Sequence, residues 1–190
     1  MKLRNRLTIL LNLILLTLPL YSFADTAVIR EIDISSSSVY LSVKFHLSNS
    51  FNKKIEETIK IGIPTTFNYY IHLYQNRPFR NDTLLTSLTI SKTIKYDALK
   101  KEYLVSEKNS AGNNMSKSET PTLHEAKKIM NNVEIISLYP MWKLDRSKSY
   151  YIEIKAESKG ISPPHYINYL LFFLNRMNFE TDWFIESFTY

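Results

Sequence analysis

The segment VYLSVKFHLS, residues 39–48, decides the fold class. Its apolar side chains occupy every second position, at Val39, Leu41, Val43, Phe45 and Leu47. A repeat of two residues is typical of a strand that buries one side and exposes the other. The four serines at 35–38 precede the segment and predict a turn, so residues 27–34 are the expected hairpin partner.

The same alternation continues along the chain. It runs through residues 65–75, 84–96 and 150–157, and shorter strand candidates lie at 102–105, 133–138 and 179–188. The links between the strands of the middle region are too short for crossover helices, which favours an antiparallel meander. We therefore predict a mainly β fold, an antiparallel β-sandwich-like domain with two or three short helices.

Two segments have helical spacing instead. Phe51, Ile55 and Ile59 repeat at helical intervals after Asn49 and Ser50, either of which is expected to cap the helix. A second helix is predicted to begin at Thr122-Leu123-His124-Glu125, because this order of residues is a capping box. We expect that helix to end near Asn131.

The first 24 residues have the pattern of a secretory signal peptide. Lys2, Arg4 and Arg6 precede an apolar run, Leu7–Leu20, and Ser22-Phe23-Ala24 is a small-residue cleavage site. The run is shorter than the ~20 residues that a membrane-spanning helix needs. We predict export to the periplasm with cleavage before Asp25. The alternative is an uncleaved segment that tethers the domain to the inner membrane, which is the one case in which we expect membrane contact.

Residues 25–190 are predicted to form a single β-rich domain. Residues 106–120 have almost no apolar side chains, so we expect a flexible loop there. The very apolar segment Tyr166–Leu174 fits a helical and a strand repeat equally well, and both readings stay open.

Composition excludes several classes of function. The chain has no cysteine, so it has neither disulfides nor thiolate metal ligands. Three glycines are too few for a glycine-rich phosphate loop. The formal charge is +6, and three of those charges belong to the signal segment. The remaining Lys and Arg residues form no stripe with aromatic residues, so no nucleic-acid partner is expected.

Few residues suggest catalysis. His46 and His72 lie on the polar sides of strands and are predicted to face each other if those strands pair, which leaves an envelope hydrolase as an alternative. No catalytic, cofactor or metal site is expected. The chain has 13 Tyr and 10 Phe. One interpretation is an aromatic groove formed by six of its aromatic residues: Tyr69, Tyr70, Tyr74, Trp142, Tyr150 and Tyr151. Plain core packing is the other.

Four short motifs resemble a known family. They are Gly62-Ile63-Pro64-Thr65-Thr66-Phe67, Leu73-Tyr74-x-x-Arg77-Pro78-Phe79, Tyr96-Asp97-Ala98-Leu99 and Asp182-Trp183. Their order resembles the bacterial family called domain of unknown function 4390 over about residues 25–188. The resemblance implies export, since members begin with a signal sequence or anchor. It implies no established activity and no catalytic residues.

The leading functional hypothesis is a non-enzymatic periplasmic binding protein. It would offer a sheet edge or an aromatic groove to an envelope protein. Tyr74, Arg77 and Phe79 are the candidate interaction residues. The alternative is that these residues have a structural role only, in a turn stabilised by Pro78 in which Arg77 pairs with Asp82 or Asp97. The family resemblance also implies a signalling alternative, an accessory to a membrane sensor kinase, because some members are encoded beside one.

Overall fold

The computed structural model describes residues 26–37, 39–110, 112–159 and 178–189. The predicted signal peptide and the ambiguous segment Tyr166–Leu174 both lie outside these residues. Within the described ranges, no helix combines the length and the hydropathy that crossing a membrane would require.

Nine strands and two α-helices make up the described fold. In chain order the strands are β1 (Val28–Ser36), β2 (Tyr40–Ser48), β3 (Thr65–Gln75), β4 (Thr83–Asp97), β5 (Glu102–Asn109), β6 (Gly112–Thr120), β7 (Asn132–Pro140), β8 (Ser149–Lys159) and β9 (Phe184–Thr189). The helices are α1 (Lys53–Lys60) and α2 (Leu123–Asn131), and a short 3-10 helix spans Met141–Lys143. The predicted hairpin at the start of the domain is β1 and β2.

The strands form two antiparallel sheets. The smaller has the order β1-β2-β7, and the larger has the order β6-β5-β4-β3-β8-β9. Every neighbouring pair is antiparallel. The predicted mainly β, antiparallel sandwich with two or three short helices is therefore confirmed.

The core lies between the two sheets. The apolar positions of β2 that alternate in the sequence are buried, and Phe67, Tyr69, Ile71 and Leu73 of β3 have no exposed surface. The Phe45 and Tyr69 rings bring the sheets into contact, with centroids 5.8 Å apart. Because strand side chains alternate between faces, this buried set places the intervening residues of β3 on the outer face of the larger sheet.

Both helices lie where the sequence predicts them, but the cap of α1 differs. The Ile55 amide donates to Asn52 Oδ1 at 2.9 Å, so Asn52 is the N-cap and the prediction of Asn49 or Ser50 is wrong. Ser50 is buried and its hydroxyl donates to Asn131 Oδ1 at 2.7 Å, which commits it to a contact outside α1. In α2 the Glu125 amide donates to Thr122 Oγ1 at 3.2 Å, as the capping box predicts.

The prediction of a loop over residues 106–120 is wrong. β5 continues to Asn109 and β6 returns from Gly112 to Thr120, so these residues form a hairpin. The low apolar content misleads because β6 ends the order of the larger sheet, where a strand is ordered by its backbone hydrogen bonds and can be polar on both sides. Thr120 anchors the end of β6, since its hydroxyl donates to the Glu125 carboxylate of α2.

One cation lies on the core face of the larger sheet. Lys92 of β4 is only 4% exposed, and its Nζ donates to the backbone oxygens of Ile129 at 2.9 Å and Asn132 at 2.5 Å. The same Nζ lies 3.2 Å from Glu107 Oε2 on β5. Burial lowers the pKa of Lys92, and the Glu107 carboxylate opposes that shift. Lys92 therefore connects the end of α2 to the sheet.

Replacing Lys92 by Met should lower the free energy of unfolding by about 2 kcal/mol, because two backbone oxygens and a partly buried carboxylate lose their donor. Urea denaturation of the wild type and the variant measures the change. Lys95→Met on the exposed side of the same strand is the matched control and should change stability by less than about 0.5 kcal/mol. Equal effects of the two substitutions would contradict this role for Lys92.

Candidate functional site

The outer face of β3 and β8 carries a row of aromatic and charged side chains. Cross-strand pairing sets His72 beside Glu153 and Tyr74 beside Tyr151, on the side opposite the buried residues of β3. We call this row the aromatic face and define it as Tyr70, His72, Tyr74, Tyr151 and Trp183. Each of these side chains keeps part of its surface exposed.

Ring stacking holds one end of the aromatic face. The Tyr74 and Tyr151 rings are nearly parallel, at 13°, with centroids 5.1 Å apart. The Tyr151 hydroxyl donates to Asp82 Oδ2 at 2.9 Å, and the other oxygen of Asp82 accepts from the Arg77 amide at 2.8 Å. One carboxylate therefore joins the face to the turn between β3 and β4.

The middle of the aromatic face is built around His72. Its ring lies 5.0 Å from the Trp183 ring and 6.1 Å from the Tyr74 ring. Lys155 also contacts Trp183, with Nζ 5.5 Å from the ring centroid, and forms an ion pair with Glu180. The indole therefore has an imidazole and an ammonium group as neighbours.

The far end of the face is polar. The Tyr70 hydroxyl donates to Glu157 Oε1 at 2.5 Å, and the Asn68 amide donates to the same oxygen at 3.4 Å. Asn68 in turn accepts from the Ser91 hydroxyl at 2.8 Å. These contacts orient Tyr70 and give its hydroxyl and the Asn68 amide hydrogen-bond partners within the protein. Binding of a partner therefore would not leave these groups without hydrogen bonds.

The predicted aromatic groove is divided by the fold. Tyr70, Tyr74 and Tyr151 share the aromatic face, whereas Tyr69 and Tyr150 are buried in the core. Tyr69 donates to the backbone oxygen of Met130 at 2.6 Å, and burial raises its pKa. Trp142 lies in the connection from β7 to β8 and is not part of either strand that carries the face. Because neighbouring residues of a strand point to opposite faces, the alternation in the sequence already places Tyr69 and Tyr70 on different faces of the sheet.

The three candidate interaction residues do not form one cluster. Tyr74 lies on the aromatic face, while Arg77 and Phe79 lie in the turn that follows β3. Phe79 is fully exposed, at 106%, with a left-handed φ of 65°. The bond from Arg77 to Asp82 comes from the backbone amide, so it does not depend on the Arg77 side chain. Asp97 instead accepts from the amides of Leu99 and Lys100 in another turn.

The two histidines lie in different sheets, so their strands do not pair and the condition for them to face each other is not met. His46 Nδ1 is 2.7 Å from Asn132 Oδ1 in the smaller sheet. His72 Nδ1 is 4.0 Å from Glu153 Oε2, beyond hydrogen-bonding distance. In the part of the chain that the structure describes, no three His, Asp or Glu side chains are grouped as metal ligands.

Titration of Tyr151 should report its contact with Asp82. Burial, and then the hydrogen bond to the Asp82 carboxylate, raise the pKa of Tyr151 to about 12. In Asp82→Asn this pKa should fall toward the usual value of about 10, because the nearby negative charge is lost while the burial remains. The phenolate absorbance lost in Tyr151→Phe identifies this residue in each background. An unchanged Tyr151 pKa in Asp82→Asn would contradict the contact.

The comparisons with known proteins identify a family. The family model described as domain of unknown function (DUF4390) matches residues 24–186, most of the chain. A search of curated proteins found no match, and a search of solved structures found none. The resemblance predicted from the four short motifs is therefore confirmed, and the chain belongs to the DUF4390 family, a domain of unknown function.

Proposed function

We propose that the protein is exported to the periplasm and there binds an envelope protein through the aromatic face, without catalysis. The observation that carries the proposal is the arrangement of Tyr74, Tyr151 and Trp183. These three large side chains lie on the sheet face opposite the core. The Tyr74 ring stacks on Tyr151, the Tyr151 hydroxyl donates to Asp82, and the Trp183 ring packs against His72.

A face of this kind suits protein recognition. Tyrosine and tryptophan are enriched among the residues that dominate binding energy, since they bury a large area and lose little conformational freedom. Here that cost is reduced further, because the Tyr74 and Tyr151 rings are already stacked before a partner arrives. Among the described strands β9 comes last in the order of the larger sheet, beside β8, and its outer edge is the proposed place for strand addition next to Trp183.

The histidine geometry favours binding over hydrolysis. A general base must lie within hydrogen-bonding reach of the group that orients it or of its nucleophile. The nearest described carboxylate to His72 is 4.0 Å away, and His46 is beside an amide oxygen that cannot act as an acid or base. If His72 serves only as part of a surface that binds a partner, it needs neither an orienting group nor a nucleophile beside it.

Export is supported by the sequence. The basic start, the short apolar run and the small residues before Asp25 are what a signal peptide requires, and a chain without cysteine needs no oxidative folding step in the periplasm.

Intact-mass measurement of the protein purified from the cell envelope tests export and cleavage. The expected chain begins at Asp25, because Ala24 is the small residue before the cut. A mass that retains residues 1–24 together with membrane association would support the tethered alternative instead. Recovery of the full-length chain from the cytoplasm would contradict export.

Photo-crosslinking in living cells tests the binding face. A photoreactive phenylalanine at Tyr74 should give a discrete protein adduct, because that ring would lie inside the interface. The matched control is the same residue at Ile136, which is 72% exposed on the smaller sheet. Tyr151→Ala should weaken capture of the purified partner by about 30-fold, as expected for a central tyrosine.

An adduct at Ile136 but not at Tyr74 would contradict the aromatic face as the binding surface. An adduct with a membrane sensor kinase would assign the binding function to signalling. Hydrolysis of envelope material that is lost in His72→Ala, with stability unchanged, would contradict the absence of catalysis.

A further inference from the structure

Three connections meet at one end of the molecule. The turn between β3 and β4 spans residues 76–82, and Asn76 donates from its amide to the Ser149 oxygen at 2.9 Å. The connection from β7 to β8 spans residues 141–148, and the Met141 amide donates to the Val39 oxygen of the β1–β2 turn at 2.9 Å. We call residues 76–82 and 141–148 together the basic tip.

The basic tip exposes two large aromatic side chains. Phe79 is 106% exposed and Trp142 is 77% exposed, so neither contributes to the core. Phe79 also adopts a left-handed backbone conformation, with φ 65°, which is unfavourable for a bulky side chain. A strained, fully exposed phenylalanine is better explained by contact with another surface than by folding.

Basic residues outnumber acidic ones in the basic tip. The tip contains two acidic residues, Asp82 and Asp145, and five basic ones: Arg77, Arg80, Lys143, Arg146 and Lys148. Both acidic side chains are already engaged inside the tip or with Tyr151. The net charge of the tip is therefore +3, which equals the formal charge of +6 less the three signal cations. The rest of the predicted exported chain therefore has a formal net charge of zero.

We propose that the basic tip docks on an anionic phospholipid surface. Phe79 and Trp142 would enter the headgroup region, where aromatic side chains are favoured, and the cations beside them would pair with lipid phosphates. The Lys143 Nζ already lies 5.1 Å from the Trp142 ring, so cation and aromatic group would reach the surface together. Exposed aromatic residues on projecting turns fit a fluid surface better than a recessed pocket for one acidic peptide.

The orientation leaves the proposed binding face free. β3 and β8 extend from the tip to the other end of the molecule. Docking by the tip would therefore leave the aromatic face roughly perpendicular to the membrane and exposed to the solvent. Thr26 lies at the opposite end, because β1 begins opposite Ser48 and turns at residues 37–39. The tip is thus far from the end where the described chain begins, and its docking goes beyond the protein-binding function proposed above.

Vesicle co-sedimentation of the exported form tests the charge. We expect binding to vesicles of phosphatidylcholine with 30% phosphatidylglycerol and little binding to phosphatidylcholine alone. Arg77→Gln with Arg80→Gln should weaken binding about 25-fold, at about fivefold for each cation removed. The matched control is Lys100→Gln with Lys101→Gln in the β4–β5 turn at the opposite end, which should change binding less than twofold.

The aromatic contribution is tested separately. Phe79→Ser should weaken vesicle binding about tenfold, whereas Leu99→Ser, which removes a side chain 96% exposed at the opposite end, should not. The chain has two tryptophans, so Trp183→Phe leaves Trp142 as the fluorescent reporter. Its emission should shift to shorter wavelength with anionic vesicles and be quenched by brominated lipids.

Several outcomes would overturn the proposal. Equal binding to neutral and anionic vesicles would show that the cations of the tip do not contribute to docking. An equal loss in the opposite-end variants would show that binding depends on total charge. Tight binding to an acidic polypeptide without vesicle binding would assign the tip to a protein partner.

Discussion

The face-to-face packing of β2 against β3 is the constraint on which the rest of the structure depends. Phe45 and Tyr69 make the contact, and the fully buried positions of β3 alternate with residues of its outer face. A shift of one residue in the register of β3 would exchange the two sets. The burial that stabilises the sandwich therefore also determines which aromatic side chains form the aromatic face.

The outer face and the basic tip are joined by one carboxylate. Asp82 accepts from the Tyr151 hydroxyl on β8 and from the Arg77 amide in the β3–β4 turn. The turn that carries Phe79 is thus held relative to the Tyr74–Tyr151 stack. If both proposals are correct, a molecule docked by its tip would present a prearranged aromatic surface at a defined height above the membrane, which suits capture of a membrane-associated partner.

The polar hairpin and the buried lysine show where composition and pattern mislead. Residues 106–120 contain only two apolar side chains, Ala111 and Met115, yet β4 forms a backbone hydrogen-bond ladder with β5, and β5 forms one with β6. Lys92 is a charged residue and would be expected on the exposed side of β4, but it is buried in the core. Its burial is possible because the end of α2 brings two backbone oxygens to its ammonium group. Neither outcome follows from local sequence, since the partner groups are distant along the chain.

The sequence by itself determined most of the strands, both helices and the antiparallel sandwich, because a burial period of two or of 3.6 residues can be seen in the local order of apolar residues. It did not determine β6, which has too few apolar residues to show such a period. It also carried the family motifs and placed Tyr74, Arg77 and Phe79 near one another along the chain. Only the tertiary structure decided that Tyr74 pairs with Tyr151, that Trp183 packs on His72, and that His46 and His72 are separated. These outcomes depend on which strands become neighbours, and strand pairing is decided by the packing of the whole core.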